Sequence, residues 1–225
     1  MEVFLIPVGP DRYQLYCEVP DEDPSGTDPE HDRGFFRGLV RRFRETLNRI
    51  ERDRHGDADE HGWFQRTKNR AMRAVAESIA EQRLLWHLRR QSAATAVHPS
   101  DIDGEAGMAV LRAALQHDLD KHRRWLVIDG ILVALAGLLI LVPGPNVIGY
   151  YFAFRVVGHY FSMRGARQGL DVVQWETRPS EALTELRPLV PIDCEQRRPL
   201  VDAIAARLEL AHLRRFFDRV AVGGA

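Results

Sequence analysis

The fold turns on one stretch, Leu126-Val-Ile-Asp-Gly-Ile-Leu-Val-Ala-Leu-Ala-Gly-Leu-Leu-Ile-Leu-Val142, then Pro143-Gly144-Pro145-Asn146, then Val147-Ile-Gly-Tyr-Tyr-Phe-Ala-Phe-Arg-Val-Val-Gly-His-Tyr-Phe-Ser-Met163. Each apolar arm has seventeen residues, about 26 Å of helix at 1.5 Å per residue and at the short end for a bilayer span. Pro143, Gly144, Pro145 and Asn146 end the first arm, because two prolines remove amide donors and glycine permits a tight reversal. The expectation is an antiparallel helical hairpin over 126–163 that enters or crosses a membrane.

The flanks support that reading. Lys121, Arg123 and Arg124 precede the first arm, Arg164 and Arg167 follow the second, and the turn is uncharged. By the positive-inside rule both termini then share the cytoplasmic side, with the turn pointing into the bilayer. Asp129, Arg155 and His159 interrupt the apolar arms. An unpaired arginine in an apolar helix costs about 2.5 to 3.5 kcal/mol on insertion scales, so Arg155 needs a partner, and Asp129 is the carboxylate within reach. Tyr151, Arg155 and His159 recur every four residues and share one helix face. Gly130, Ala134 and Gly137 offer a small-residue seam on the first arm. Helices meeting through that seam turn the polar face of the second arm away, toward another helix or a second copy. The cluster reads as a structural polar clamp, with a proton or ion relay through Asp129 and His159 as the sharper alternative.

Outward from the hairpin, Glu2–Val8 and Arg12–Val19 are short β-prone runs separated by Gly9-Pro10-Asp11, the pattern of a β-hairpin. Residues 20–32 carry six acids, three prolines and no Lys or Arg, a linker composition. From Arg33 the apolar spacing becomes helical, with eight arginines against three acids over 33–54. Such a face suits anionic lipid or, more plainly, a solvated bundle surface balanced by the linker. A second helix is expected over Gln65–Arg90. A third starts near Glu105, capped by Ser100 or Asp101, and runs unbroken into the apolar arm. Pro179-Ser180-Glu181 starts another helix, Pro188 and Pro191 break it, and a last helix covers Pro199–Val220 with its proline in the first turn. The fold class is therefore mainly α: amphipathic helices plus a hydrophobic helical hairpin, with a short N-terminal β-hairpin. The divisions are 1–19, 20–32, 33–125, 126–163 and 164–225.

Composition narrows the function. The 225 residues are 45% hydrophobic, and 31 basic against 32 acidic residues give a net charge of -1, so no global basic field points to nucleic acid. Cys17 and Cys194 are too far apart in sequence for a closely spaced metal or redox motif and read as unpaired thiols. His117 and His122 lie five residues apart, about 140° around a helix, which is poor for shared ligation, so both read as part of a solvated face. No phosphate loop, nucleophile elbow or catalytic array is evident, and neither enzyme activity, metal nor cofactor is expected.

His122-Arg-Arg-Trp-Leu-Val-Ile-Asp-Gly130, Val142-Pro-Gly-Pro-Asn146, Tyr150-Tyr-Phe-Ala-Phe-Arg-Val-Val-Gly-His-Tyr160 and the opening Val3-Phe-Leu-Ile-Pro-Val-Gly-Pro10 together resemble the mitochondrial K+/H+ exchange-related family. The resemblance implies a link to potassium and proton exchange across the mitochondrial inner membrane and carries over no catalytic residues. The first residues do not read as a presequence, which points to a bacterial relative at the inner membrane rather than a mitochondrial member. Secondary transporters place their sites between repeated multi-helix halves, and two apolar arms without a repeat do not suffice. The expected function is thus accessory or regulatory, with the lipid bilayer as partner together with a second copy or another membrane protein. An oligomeric exchanger is the sharper possibility. A soluble helical interaction module with a buried hydrophobic hairpin is the alternative.

Overall fold

The computed structural model describes residues 1–18, 84–138 and 147–221. The acidic linker, the arginine-rich helix, most of the Gln65–Arg90 helix and the Pro143–Asn146 turn lie outside the described residues. Two compact units are present: Met1–Asp21 with His87–Asp118 and Ala166–Ala225, and Glu22–Trp86 with Leu119–Gly165.

The first unit is built on a four-stranded sheet of order β2-β1-β3-β4. Its strands are β1 (Glu2–Pro7), β2 (Tyr13–Tyr16), β3 (Ala93–Pro99) and β4 (Gln174–Ser180). β1 and β2 form the expected antiparallel pair, with Phe4 opposite Tyr16 and the Val8 amide donating to the Arg12 carbonyl at 2.8 Å. β3 pairs parallel with both β1 and β4. Neither β3 nor β4 is expected from local pattern. Ala-Ala-Thr-Ala-Val-His-Pro is weakly β-prone, and its strand character comes from neighbours far away in the chain. β4 tolerates Pro179 because it is an edge strand, where a missing donor breaks no ladder on its outer side.

Both faces of β1 are buried, as strand alternation requires when each is covered. Phe4 and Ile6 join a core with Leu183, Leu186, Val201, Ile204, Leu213 and Phe217 from the C-terminal segments. On the other face, the His98 ring approaches Gly107 so closely that a Cβ there would sit 3.1 Å away. Gly107 belongs to α1 (Gly104–Leu138), whose Leu111 and Leu115 are fully buried.

α1 runs unbroken into the apolar arm, as expected, but its cap differs. Asp103 Oδ1 accepts the Ala106 amide at 2.7 Å, while Asp101 accepts a bond from Arg187 Nε and the Ser100 amide donates to Thr184 Oγ1. α2 (Val147–Asp171) carries the second apolar arm and continues past Met163. A short α3 (Glu181–Thr184) and a 3-10 turn at Arg187–Leu189 follow.

The single helix expected over 199–220 is two: α4 (Cys194–Arg207), capped by Asp193 accepting the Glu195 amide, and α5 (Leu213–Val220). Between them Glu209 adopts φ 58, a left-handed conformation that ends the helix. The break resets the phase of a drifting apolar stripe, so that Val201 and Ile204 on α4 and Leu213 and Phe217 on α5 all reach one core. Pro199 lies inside α4 rather than in its first turn.

Among the described residues no helix is long and apolar enough to cross a membrane. The expected spanning hairpin is therefore not supported. The apolar arm of α1 carries Asp129 and follows Arg123 and Arg124 directly, and that of α2 carries Arg155 and His159. These charges and imidazoles lower the mean hydropathy of each helix. The thiols of Cys17 and Cys194 are both free.

Candidate functional site: a buried polar cluster between two helices

The second unit holds the ionisable residues of the apolar arms. On α1, His122, Leu126, Asp129 and Val133 follow the i, i+4, i+7, i+11 repeat of one helix face, and His122 and Asp129 are buried on it. On α2, Arg155 and His159 share a face one turn apart. The two faces meet. Arg155 Nε lies 3.1 Å from Asp129 Oδ2, and His159 Nε2 lies 3.3 Å from the same oxygen. His159 Nδ1 lies 2.9 Å from His122 Nδ1. Trp125 closes the cluster, with its ring stacked near His159 at a 19° interplanar angle and the Arg155 guanidinium 5.2 Å from its centroid.

This geometry reverses the packing inferred from small residues. The polar face of α2 is turned toward α1, while a Cβ on Gly130 would meet nothing within 4 Å and Ala134 is exposed. The close-packed seam lies instead on α2, along Gly158, Ser162 and Gly165. Ser162 Oγ accepts from Trp86 Nε1 at 3.0 Å and donates to the Gly158 carbonyl at 2.9 Å. A Cβ on Gly165 would fall 1.8 Å from the Leu85 carbonyl oxygen.

The contacts order the protons. A neutral histidine has one N–H, and two facing Nδ1 atoms need one donor and one acceptor. With His159 Nε2 beside a carboxylate, its proton belongs on Nε2, so His159 Nδ1 accepts and His122 Nδ1–H donates. Burial, reinforced by His159 and Lys121, lowers His122 to about 4. Burial, reinforced by Arg155 and Lys121, lowers His159 to about 4 as well. Asp129 is fully buried, and burial raises its carboxyl against the opposing pull of Arg155. Its Oδ1 accepts no hydrogen bond from the described residues. The cluster can therefore hold, share or pass a proton. Among the described residues no group of His, Cys, Asp and Glu side chains is arranged to hold a metal ion.

Of the residues singled out from sequence, Asp129, Arg155 and His159 come together, and Lys121 acts on both histidines through its charge. The α2 backbone includes position 151, but the Tyr151 side chain is outside the described residues. Arg123, Arg124 and Arg164 are exposed, and Arg167 pairs with Asp171 at 3.2 Å. His117 is exposed, as a solvated face requires, but His122 is buried and belongs to the cluster. The seven-residue spacing from His122 to Asp129, two helical turns on one face, was the signal that could have placed it.

A mixed sheet backed by helices, joined in sequence to a long helix pair that buries ionisable groups, defines a mainly helical protein with an internal polar clamp. The chain belongs to the mitochondrial K+-H+ exchange-related family, whose model matches residues 2–172. No curated protein and no solved structure matches it.

Proposed function

We propose that this protein is an accessory or regulatory component of potassium/proton exchange that works on a membrane surface, rather than a complete exchanger as a monomer. The observation that carries this reading is the inverted amphipathicity of α1. Its inward face holds His122 and Asp129, while Trp125, Val127, Ile128, Ile131 and Leu135 stand out, from 40% exposed at Trp125 to 60% at Val127. A water-exposed helix ordinarily reverses that arrangement. Exposed Lys121, Arg123 and Arg124 begin the same stretch and suit anionic headgroups, each adding about 1 kcal/mol near such a surface. The helix then lies in the interface with its apolar stripe in the acyl boundary, which requires no span. The polar clamp lowers the cost of carrying Asp129 and Arg155 into that setting.

In this reading the protein performs no catalysis, both termini stay on one face of the membrane, and a second copy or another membrane protein completes any transport path. A bacterial inner membrane, with the termini cytoplasmic, fits the basic flanks. Flotation with vesicles tests the proposal. The full chain should float with phosphatidylglycerol-containing vesicles and much less with phosphatidylcholine alone. An Ile131→Glu, Leu135→Glu variant of unchanged circular dichroism should stay at the bottom. A chain that ignores both vesicle types is the soluble interaction module instead. Potassium-dependent proton flux in vesicles holding this protein alone would make it the exchanger.

A further inference from the structure

Two buried histidines whose Nδ1 atoms face each other at 2.9 Å have room for one proton between those atoms and not for two. We propose that His122 and His159 form a proton-operated latch across the α1–α2 seam, closed while one Nδ1–H bridges the rings and opened when the second Nδ1 is protonated.

The geometry sets the sequence of events. A first proton on His122 Nε2, the ring nitrogen not engaged with His159, leaves the Nδ1–H bridge intact. The next must go to His159 Nδ1, because His159 Nε2 already faces Asp129 Oδ2 at 3.3 Å. Two N–H groups then point at each other across 2.9 Å, and both rings are cations. Among the described residues the charged groups acting on the pair divide by helix: Lys121 and Asp129 on α1, Arg155 on α2. Lys121 and Arg155 oppose a further cation. Asp129 favours one but already faces Arg155 at 3.1 Å. The Trp125 ring stacks beside His159, 6.4 Å between centroids, and bounds that ring on one side.

The sign follows from burial. Both histidines fall from the ordinary 6.5 to about 4 in the folded protein. Stability from the neutral pair is therefore complete above about 6.5 and is lost as pH drops toward 4. The inference does not depend on lipid binding, since every group in it belongs to the helix pair itself.

Amide hydrogen exchange of the full chain in buffer, corrected for the intrinsic pH dependence of exchange, tests the latch. Peptides covering 119–135 and 152–165 should lose protection at least tenfold between pH 7 and pH 4, while β1 keeps its own. His122→Gln should keep those peptides protected, because a carboxamide donates to His159 Nδ1 or, after turning, accepts from its protonated form. Unchanged protection of the wild type down to pH 4, or opening of His122→Gln at the same pH as the wild type, overturns the proposal. If His122→Gln fails to fold at neutral pH, 15N spectra of the histidine rings in the unaltered protein decide. Two rings titrating jointly and well below 6.5 support the latch, and two independent midpoints near 6.5 reject it.

Discussion

Asp129 and Arg155 are an unequal pair, and the inequality decides what their removal does. Asp129 is wholly buried, whereas the Arg155 side chain keeps 27% of its surface exposed. Arg155→Leu strands a buried carboxyl with no cation, at a cost of about 3 kcal/mol. Asp129→Asn leaves a guanidinium that can bend toward water and should cost about half as much. The double variant should recover part of the loss, since a buried pair replaced by apolar groups is often nearly neutral. A double-mutant cycle from urea unfolding measures the coupling. Strictly additive effects would show that the 3.1 Å contact does not couple the two residues in solution. His122 is the residue that local pattern reading misplaces, because its chain neighbours Lys121, Arg123 and Arg124 are all charged and exposed. Its burial follows from the helix face it shares with Asp129.

The long helices carry a contrast between two glycines. Gly165 on α2 sits where a Cβ would strike the Leu85 carbonyl oxygen at 1.8 Å, and backbone cannot step aside as a flexible side chain can. Gly165→Ala should therefore destabilise by about 3 kcal/mol, the upper end for overpacking. Gly130 on α1 has open space where its Cβ would be. Gly130→Ala should stabilise by about 0.5 to 1 kcal/mol, because alanine loses less backbone entropy within a helix. Thermal unfolding of the two variants should move in opposite directions. A destabilising Gly130→Ala, or a Gly165→Ala that costs nothing, would contradict the open space at the first position or the backbone contact at the second. The apolar residues of α1 that do not meet α2, Val127, Ile128, Ile131 and Leu135, are the exposed ones, and they form the face on which the proposed membrane contact rests.

In the sheet-based unit, local fragments have little stability alone, and the C-terminal helices cover a face of β1 that would otherwise be apolar and wet. Phe217 is fully buried in that core, with the Arg197 guanidinium 5.2 Å from its ring centroid. Phe217→Ala should cost about 3 to 5 kcal/mol and lower protection in β1 as well as in α5. Loss confined to α5 would mean that the helices and the sheet unfold independently. Sequence alone determined the features that rest on neighbours within a turn or a tight loop. These are the β1–β2 pair, the unbroken α1, the helical second arm, the family, and the need of Arg155 for a partner, because periodicity and insertion cost act over a few residues. Tertiary structure alone decided the rest. β3 and β4 are strands because parallel partners distant in the chain supply their hydrogen bonds. The last helix breaks at Glu209 because one straight helix could not turn both of its apolar segments to the sheet. The polar face of α2 turns inward because a buried carboxylate and two imidazoles satisfy one another better than a seam of small residues satisfies them. No spacing along a single helix determines which face meets its neighbour, since that choice depends on groups contributed by both.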